Sequence, residues 1–321
     1  MLFALTGAAL FLFGCTSMPA TTADKVRIGI AWRADTDSEF LTNVQRAIRE
    51  AGGIPVLLCQ VRSADIPYVG TEVDKSVIDP HDYLVQSAAD KIKNAGYRRS
   101  NAAEAVGDLK AVIFTGGSDI SPTLFAQPVP WHGIAEEQDY NVTRDISDYL
   151  LMDYCLSRKD ISVLGICRGE QVLGIVSGAT IVQDIPAYYR QRGIAYDNAH
   201  RNIKATPASY RDYAPHPIDV QPDSILSGIV GRSVLNGCPS WHHQMLKSVA
   251  GTPLRVTGTT RAADEDTIEV IERTDHPFAV GIQFHPEAAL CKRLNNAANA
   301  GRFMTYDRAL AFFKAIVAAA H

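Results

Sequence analysis

One cysteine lies where a predicted buried strand turns into a predicted helix. The apolar run 161–166 ends at Cys167, and an apolar-periodic segment begins at Val172. The flanking Gly165 and Gly169 are typical of a nucleophile elbow, whose sharp turn lifts the side chain above the sheet. The N-terminus of the following helix favours negative charge at that place. The pattern therefore predicts a thiolate nucleophile at Cys167, although a cysteine after a strand is more often a small core residue.

A base and an acceptor for that base lie far downstream, after a second predicted strand. The apolar segment 279–284 is followed by His285, Pro286 and Glu287. Side chains two residues apart in an extended chain lie on one face, so we expect His285 and Glu287 to point towards one site. A cysteine nucleophile needs a base, and the base needs an orienting acceptor. Together with the elbow, these residues predict the triad Cys167, His285 and Glu287.

A Gly-Gly turn follows a third predicted strand. The apolar run 111–115 leads into Gly116 and Gly117. Glycine lets the backbone approach a ligand closely, and acyl transfer requires backbone N–H donors aimed at the developing oxyanion. We expect these donors to be the N–H groups of Gly117 and of Arg168, the residue after the nucleophile.

These segments resemble those of the class I glutamine amidotransferase-like family. The resemblance is closest to its γ-glutamyl hydrolase branch, the C26 peptidases. It is carried by residues 114–122, 165–171, 240–244 (Ser-Trp-His-His-Gln) and 281–287, and it extends from about Val26 to the C-terminal helix. It implies that Cys167 is the nucleophile, His285 the general base and acid, and Glu287 the group that orients the histidine. Gly117 and Arg168 match the oxyanion donors.

The resemblance also implies a set of substrate-binding residues. Gln171, one turn into the helix after the nucleophile, matches a position that contacts the glutamyl head of the substrate, and Gly116 is placed in the same site. His242 belongs to a segment that lines the active site in γ-glutamyl hydrolases, and His243 is the alternative in that segment.

The implied activity is cleavage of γ-glutamyl amide bonds through a γ-glutamyl thioester, with no metal and no cofactor. Two alternatives stay open. One is a glutaminase subunit that supplies ammonia to a synthase, and the other is a non-catalytic envelope lipoprotein that binds γ-glutamyl compounds. An export signal argues against the first and an intact triad against the second. The sequence does not specify the amine part of the substrate.

The N-terminus predicts export. Leu2–Gly14 is almost wholly apolar and too short to span a bilayer comfortably, which is typical of a secretory signal. Leu12–Cys15 resembles a bacterial lipobox, in which Cys15 is lipidated, although no Lys or Arg precedes the apolar run. We expect a periplasm-facing lipoprotein of the bacterial cell envelope, or a cytoplasmic protein if this segment is not a signal. The predicted division is a signal peptide at 1–14, a tether at 15–25 and a single hydrolase domain at 26–321.

Composition is that of a globular enzyme. The chain has 321 residues, of which 46% are hydrophobic and 21% charged, and its net charge of −4 does not favour a nucleic-acid surface. The expected partner is a small γ-glutamyl substrate, and no metal-ligand spacing of histidines or cysteines stands out. The five cysteines after Cys15 are scattered and predict no particular disulfide.

Strands alternate with helices along the chain. This order predicts an α/β fold with a mostly parallel sheet and helices on both faces, of the flavodoxin-like type that the resemblance implies. The chemical segments all follow strands, as expected for a ligand site beyond the carboxyl ends of a parallel sheet. The predicted helices include 144–156 and 306–319.

Two regions are predicted to be insertions. Residues 62–107 are long for one connection and contain a predicted helix at 83–95, with Asp82 as its N-cap. Residues 188–213 are rich in Arg and Tyr, and loops of this size over a strand-end site often shape specificity. Three arginines of that region are candidates for binding the α-carboxylate of a γ-glutamyl head, although each one taken alone is more often part of a solvated basic loop: Arg190, Arg192 and Arg201.

Overall fold

The computed structural model describes residues 25–128, 131–133, 135–197, 199–201 and 213–321. The strands in these ranges are β1 (Arg27–Ile30), β2 (Ile54–Leu57), β3 (Tyr68–Val69), β4 (Glu72–Val73), β5 (Ala111–Phe114), β6 (Ser162–Ile166), β7 (Thr180–Val182), β8 (Ala214–Val220), β9 (Val234–Ser240), β10 (Met245–Ser248), β11 (Leu254–Ala262), β12 (Glu265–Arg273) and β13 (Ala279–Ile282). The helices are α1 (Glu39–Glu50), α2 (Gln86–Ala95), α3 (Ala102–Val106), α4 (Val142–Ser157), α5 (Arg168–Val176), α6 (Ile185–Gln191), α7 (Ile225–Val230), α8 (Pro286–Leu294) and α9 (Tyr306–Ala319).

A nine-stranded sheet forms the centre of the described fold, in the order β2-β1-β5-β6-β13-β12-β11-β8-β9. The five strands from β2 to β13 run parallel to one another. The remaining four extend the sheet in antiparallel fashion. The predicted α/β fold, with a mostly parallel central sheet of the flavodoxin-like type, is confirmed.

Helices cover both faces of this sheet because its central strands are apolar on both faces. On β5, Val112 and Phe114 pack into one hydrophobic cluster, together with side chains of α4 and α5. Ala111 and Ile113 point the other way, into a second cluster with side chains of α1, α8 and α9. The alternation of successive side chains along a strand thus builds two cores around one sheet.

The first predicted insertion has a different helix start from the one expected. α2 begins at Gln86 and follows Val85, so Asp82 is not its N-cap. Asp82 instead lies in a turn with a φ of 65°, where its N–H donates to the carbonyl of Asp79. Leu84 is held in a β-bridge, so the chain cannot become helical until after it. The β-bridge at Leu84 overrides the apolar spacing, which predicted an earlier start for α2.

The N-terminal predictions lie outside the described residues. These are the signal peptide at 1–14, the lipidation site Cys15 and nearly all of the tether at 15–25. Within the described ranges, no helix has the length and apolar character that a membrane span requires. Residues 198 and 202–212 of the second predicted insertion are likewise not described, although α6 and His200 within it are.

Candidate active site

The elbow at Cys167 is built by two close backbone approaches. β6 is buried along its whole length and ends directly at Cys167, which precedes α5 and has a φ of 54°. A Cβ on Gly165 would lie 2.4 Å from the carbonyl oxygen of Gly169, and a Cβ on Gly169 would lie 2.4 Å from that of Phe114. Only glycine fits at both places, so strand and helix approach closely enough to force the turn. A positive φ at a non-glycine residue is strained, which is frequent at catalytic nucleophiles.

His285 and Glu287 form a buried pair. The Nδ1 atom of His285 lies 2.6 Å from Oε1 of Glu287, and both side chains are essentially inaccessible to solvent. The expected reason for their proximity is wrong, because β13 ends at Ile282 and the extended geometry does not persist through Pro286. His285 instead precedes α8, Pro286 starts that helix and Glu287 lies in its first turn. Proline suits the first helical position because its missing N–H is not needed there.

The electrostatics of His285 favour its protonated form. Burial lowers the pKa of His285, but Glu287 and Cys167 raise it by charge and hydrogen bonding, and the net result is a pKa of about 10. Within the described residues, Nε2 of His285 has no competing hydrogen-bond partner. The three residues of the predicted triad thus lie together, with His285 between the sulfur of Cys167 and the carboxylate of Glu287.

The Gly-Gly turn after β5 is fixed by two buried arginines. Nη1 of Arg144 donates to the carbonyl of Gly116 at 3.1 Å, and Arg33 donates to the same oxygen. In a trans peptide the carbonyl and the N–H point in opposite directions, so the N–H of Gly117 faces away from these arginines. Gly117 has a φ of 151°, and a Cβ there would lie 2.1 Å from Nη1 of Arg144. This geometry agrees with an oxyanion donor at Gly117.

Arg168 contributes to the site through its backbone. Its side chain is buried and forms ion pairs with Asp145, at 2.6 Å, and with Asp148, both on α4. The guanidinium therefore fastens α5 to α4 and is not available to a substrate. Its N–H group belongs to the first turn of α5, where backbone donors have no partner within the helix.

A cavity of about 660 Å³ opens over Cys167. Of the predicted site residues, Gly117, Gln171, His242 and His243 line it, whereas Gly116, Arg168, His285 and Glu287 lie beneath that surface. The lining also includes residues that were not predicted, among them Arg33, Arg144, Asp119, Trp241 and Gln244. Arg33 lies just beyond the carboxyl end of β1, which is the one signal in the sequence that marks it.

The two neighbouring histidines have different surroundings. Nε2 of His243 lies 2.9 Å from Oδ1 of Asp119, and Nδ1 lies 3.4 Å from Oδ2 of Asp184. Burial lowers the pKa of His243, but the two carboxylates outweigh it and raise the pKa to about 9. His242 bonds through Nδ1 to the carbonyl of Gln244 at 2.7 Å, and burial lowers its pKa to about 4. His243 is thus a cation at the cavity, whereas His242 is neutral.

Gln171 is held in place at the base of the cavity. Its Nε2 donates to Oε1 of Gln283 at 3.0 Å and approaches the carbonyl of Gln244 at 3.5 Å. Both side-chain polar atoms of Gln244 are buried and have no hydrogen-bond partner among the described residues. Because buried amides are normally paired, Gln244 is a candidate for contact with a bound substrate.

Only one of the three arginines proposed for carboxylate binding lines the cavity. Arg201 does so, and it forms an ion pair with Glu137 at 2.7 Å. Arg192 is exposed and pairs with Glu265, while Arg190 is exposed and outside the lining. Three arginines are among the described residues of the lining: Arg33 follows β1, Arg144 lies in the first turn of α4, and Arg201 comes from the second insertion.

A model of the Peptidase C26 family matches residues 92–287, which is more than half of the chain and includes the cysteine, histidine and glutamate described above. This chain belongs to the Peptidase C26 family. That membership, and the relatives below, make it an enzyme of the amidohydrolase or glutamine amidotransferase-like type.

Three curated relatives illustrate the similarity. Protein NtpR of Enterococcus hirae is 28% identical over 58% of this chain and 70% of its own length. A putative glutamine amidotransferase of Mycobacterium tuberculosis is 31% identical over 57% of this chain and 52% of its own length. The γ-glutamyl-γ-aminobutyrate hydrolase PuuD of Escherichia coli K12 is 27% identical over 53% of this chain and 60% of its own length.

Among solved structures, the glutaminase domain of the Trypanosoma brucei CTPS with bound acivicin is similar to this chain. The match has a TM-score of 0.50 and 14% identity, and it covers 92% of this chain and 94% of that domain. At this identity the similarity concerns the fold alone.

Proposed function

We propose that this C26-family enzyme is a cysteine hydrolase that cleaves γ-glutamyl amide bonds through a γ-glutamyl thioester. The observation that carries the proposal is the position of Cys167. It lies on a strained elbow, beside a protonated His285 that is itself paired with Glu287. The cavity above it has the size of a small-molecule site.

The reaction follows from this arrangement. The Cys167 thiolate attacks the γ-carbonyl carbon, and the N–H groups of Gly117 and Arg168 stabilise the oxyanion that forms. His285 donates its proton to the nitrogen of the leaving amine, the C–N bond breaks, and a thioester remains on Cys167. His285 then takes a proton from water, the resulting hydroxide attacks the thioester, and glutamate leaves as the thiolate is regenerated.

The charges around the cavity suit a γ-glutamyl head, which carries an α-carboxylate and an α-ammonium group. Arg33, Arg144, Arg201 and His243 supply positive charge, and Glu136 and Asp139 supply negative charge at the same surface. A mixed-charge site of this kind binds a zwitterion better than it binds an acyl group without charges. The name of the Escherichia coli relative, a γ-glutamyl-γ-aminobutyrate hydrolase, supports the same substrate class.

The test is release of the amine from a γ-glutamyl anilide. Replacing Cys167 with Ala or Ser should reduce turnover by about 10⁴-fold or more, because the covalent step is lost. Cys59→Ser, at an exposed cysteine, serves as the matched control and should leave turnover unchanged. Intact-mass measurement should detect a glutamyl adduct on the native enzyme and none on Cys167→Ala. Undiminished turnover in Cys167→Ala would refute the mechanism.

The same assay separates the alternatives. A glutaminase subunit would hydrolyse free glutamine faster than γ-glutamyl amides of larger amines. A binding protein without activity would retain a γ-glutamyl compound but form no adduct on Cys167.

A further inference from the structure

Behind the cavity wall lies a cluster of four buried polar side chains that the proposed reaction does not use. His216 comes from β8, Glu269 from β12, His242 from the turn after β9, and His200 from the segment beyond α6. All four are essentially buried, and His200 and Glu269 are completely inaccessible to solvent. Four separate parts of the chain thus meet at one point, and two of them are strands of the antiparallel end of the sheet.

The cluster lacks the hydrogen bonds that buried polar groups normally make. Among the described residues, no well-aligned hydrogen bond reaches either ring nitrogen of His200 or His216, Nε2 of His242, or either carboxylate oxygen of Glu269, whose contacts with the three imidazoles are 3.3–3.7 Å long. An unpaired buried polar atom is costly, and so many in one place are unusual in a folded protein. The cluster therefore suits a partner that satisfies several nitrogen and oxygen lone pairs at once.

The distances within the cluster are those of a metal site. Oε1 of Glu269 lies 3.3 Å from Nδ1 of His200 and 3.6 Å from Nε2 of His242, and Oε2 lies 3.7 Å from Nε2 of His216. A tetrahedral zinc site with bonds of about 2.0–2.1 Å has edges of about 3.3 Å. The ligand atoms of His200, His216 and Glu269 all lie within 4.8 Å of one another, and Nε2 of His242 contacts the same carboxylate.

The orientation of His242 agrees with this geometry. Its Nδ1 lies 2.7 Å from the carbonyl oxygen of Gln244, so Nδ1 carries the proton and Nε2 presents its lone pair to the cluster. A backbone carbonyl that fixes the tautomer of a histidine in this way is the usual support of a metal ligand.

We propose that His200, His216, His242 and Glu269 bind one divalent transition-metal ion, with zinc as the preferred ion. Three imidazoles and one carboxylate form a nitrogen- and oxygen-rich set that suits zinc in tetrahedral coordination. Four protein ligands leave no open position, so the ion has a structural role. It ties β8 and β12 to the segment that carries His242, and thereby fixes one wall of the cavity above Cys167.

The experiment measures metal content directly on the full chain, purified without a polyhistidine tag and without chelators. Elemental analysis should find about one zinc ion per chain. Glu269→Gln and His216→Asn should each lose it. Two matched controls should keep it: Cys167→Ala, which removes the reactive thiol, and His276→Ala, which removes a buried histidine bonded to the carbonyl of Arg158.

A second measurement uses the native sequence, so that it does not depend on the folding of the variants. The chelator-treated protein is titrated with Co²⁺ and with Zn²⁺. Tetrahedral nitrogen and oxygen ligation predicts the strong visible d–d bands of Co²⁺ without a sulfur-to-cobalt charge-transfer band, and Zn²⁺ should raise Tm and displace Co²⁺. A sulfur-to-cobalt band would place the metal at Cys167 or Cys238 and overturn the proposal. Absence of zinc from the native protein, together with no Tm change on adding zinc, would also overturn it.

Discussion

At the level of single residues, the charge state of His285 decides how Cys167, the proposed nucleophile, is activated. Burial opposes protonation of this imidazole, yet the charges of Glu287 and Cys167 raise its pKa to about 10. An imidazolium at neutral pH stabilises the thiolate by charge and can give its proton directly to the leaving amine. Glu170, buried beside the elbow, does not compete for this role, because burial and the charges of Glu269 and Cys167 raise its pKa well above its usual range.

The pH profile should report this arrangement. The imidazolium is lost as pH rises through the pKa of His285, so the alkaline limb of kcat/KM is expected near pH 10. Glu287→Gln removes a carboxylate that raises this pKa, so the limb should move to lower pH and kcat should fall by about 10²-fold or more. A variant whose kcat falls while the limb stays in place would show that Glu287 does not set the protonation of His285.

A matched control for this experiment is Glu136→Gln. Glu136 lies at the cavity but outside the triad. Glu136→Gln and Glu287→Gln each remove one negative charge, so a general electrostatic effect on the pH profile would appear in both variants. A shift confined to Glu287→Gln assigns the effect to its contact with His285.

The sequence predicted that Cys167, His285, Glu287 and the Gly-Gly turn meet at one site, but it did not predict the arginines beside them. Cys167 and Gly117 are recognisable because their positions require particular residue types at strand ends. Arg33 and Arg144 are ordinary arginines in sequence, and only the fold shows that both reach the carbonyl of Gly116. The pairing of His285 with Glu287 was predicted, but for a reason that proved wrong: a helix start brings the two together, where a continued strand was expected.

At the level of elements, the site depends on how closely β6 and α5 pack. Gly165→Ala should destabilise the fold by about 1–3 kcal/mol, because its Cβ would lie 2.4 Å from the backbone oxygen of Gly169, which cannot rotate away. Gly228→Ala is the matched control. It lies in α7 with no atom within 4 Å of a Cβ, and should stabilise the protein by up to about 1 kcal/mol through helix propensity. The free energy of unfolding from denaturant titration measures both.

Comparison of the two variants isolates the effect of the close approach between β6 and α5 on stability. If Gly165→Ala and Gly228→Ala had the same effect on stability, the close approach of strand and helix would not be needed for the fold. Because the two substitutions are chemically identical, only their surroundings can separate them.

The same packing explains which elements the sequence predicts well. The central strands are apolar on both faces and the helices between them have clear periodicity, so β5, β6, α4 and α9 match their predicted ranges closely. β8 was not predicted because its seven residues include two prolines and a histidine. Prolines usually argue against a strand, but β8 belongs to the antiparallel end of the sheet, where its pairing with β9 is irregular.

For the whole molecule, the reactive groups gather at one end of the parallel strands. Arg33, Gly116, Cys167 and His285 follow β1, β5, β6 and β13, which are neighbours in the sheet. The site beyond the carboxyl ends of the strands is therefore a consequence of topology, because parallel neighbours end on the same side. The proposed metal site connects the antiparallel end of the sheet to the cavity over Cys167, because its ligand His242 also lines that cavity.

We also propose, on the N-terminal sequence, that the chain is a lipid-anchored protein outside the cytoplasm. The described cysteines are all free thiols, and Cys155, Cys238 and Cys291 are buried together with Cys167. Burial limits oxidation of thiols in an oxidising compartment. Among the described cysteines, Cys59 is the exposed one. It is therefore a suitable control for lipidation of Cys15.

The anchor is tested by expressing the full chain in bacteria that are fed labelled palmitate. The apolar segment before Cys15 is too short for a comfortable span but fits a secretory signal, so the acyl label should appear on the native chain and on Cys59→Ser. It should be absent from Cys15→Ser, because that variant lacks the thiol that carries the lipid. Label retained in Cys15→Ser, or a native chain without label, would contradict the anchor. Turnover of the γ-glutamyl anilide should be equal in all three proteins, since Cys15 takes no part in the proposed reaction.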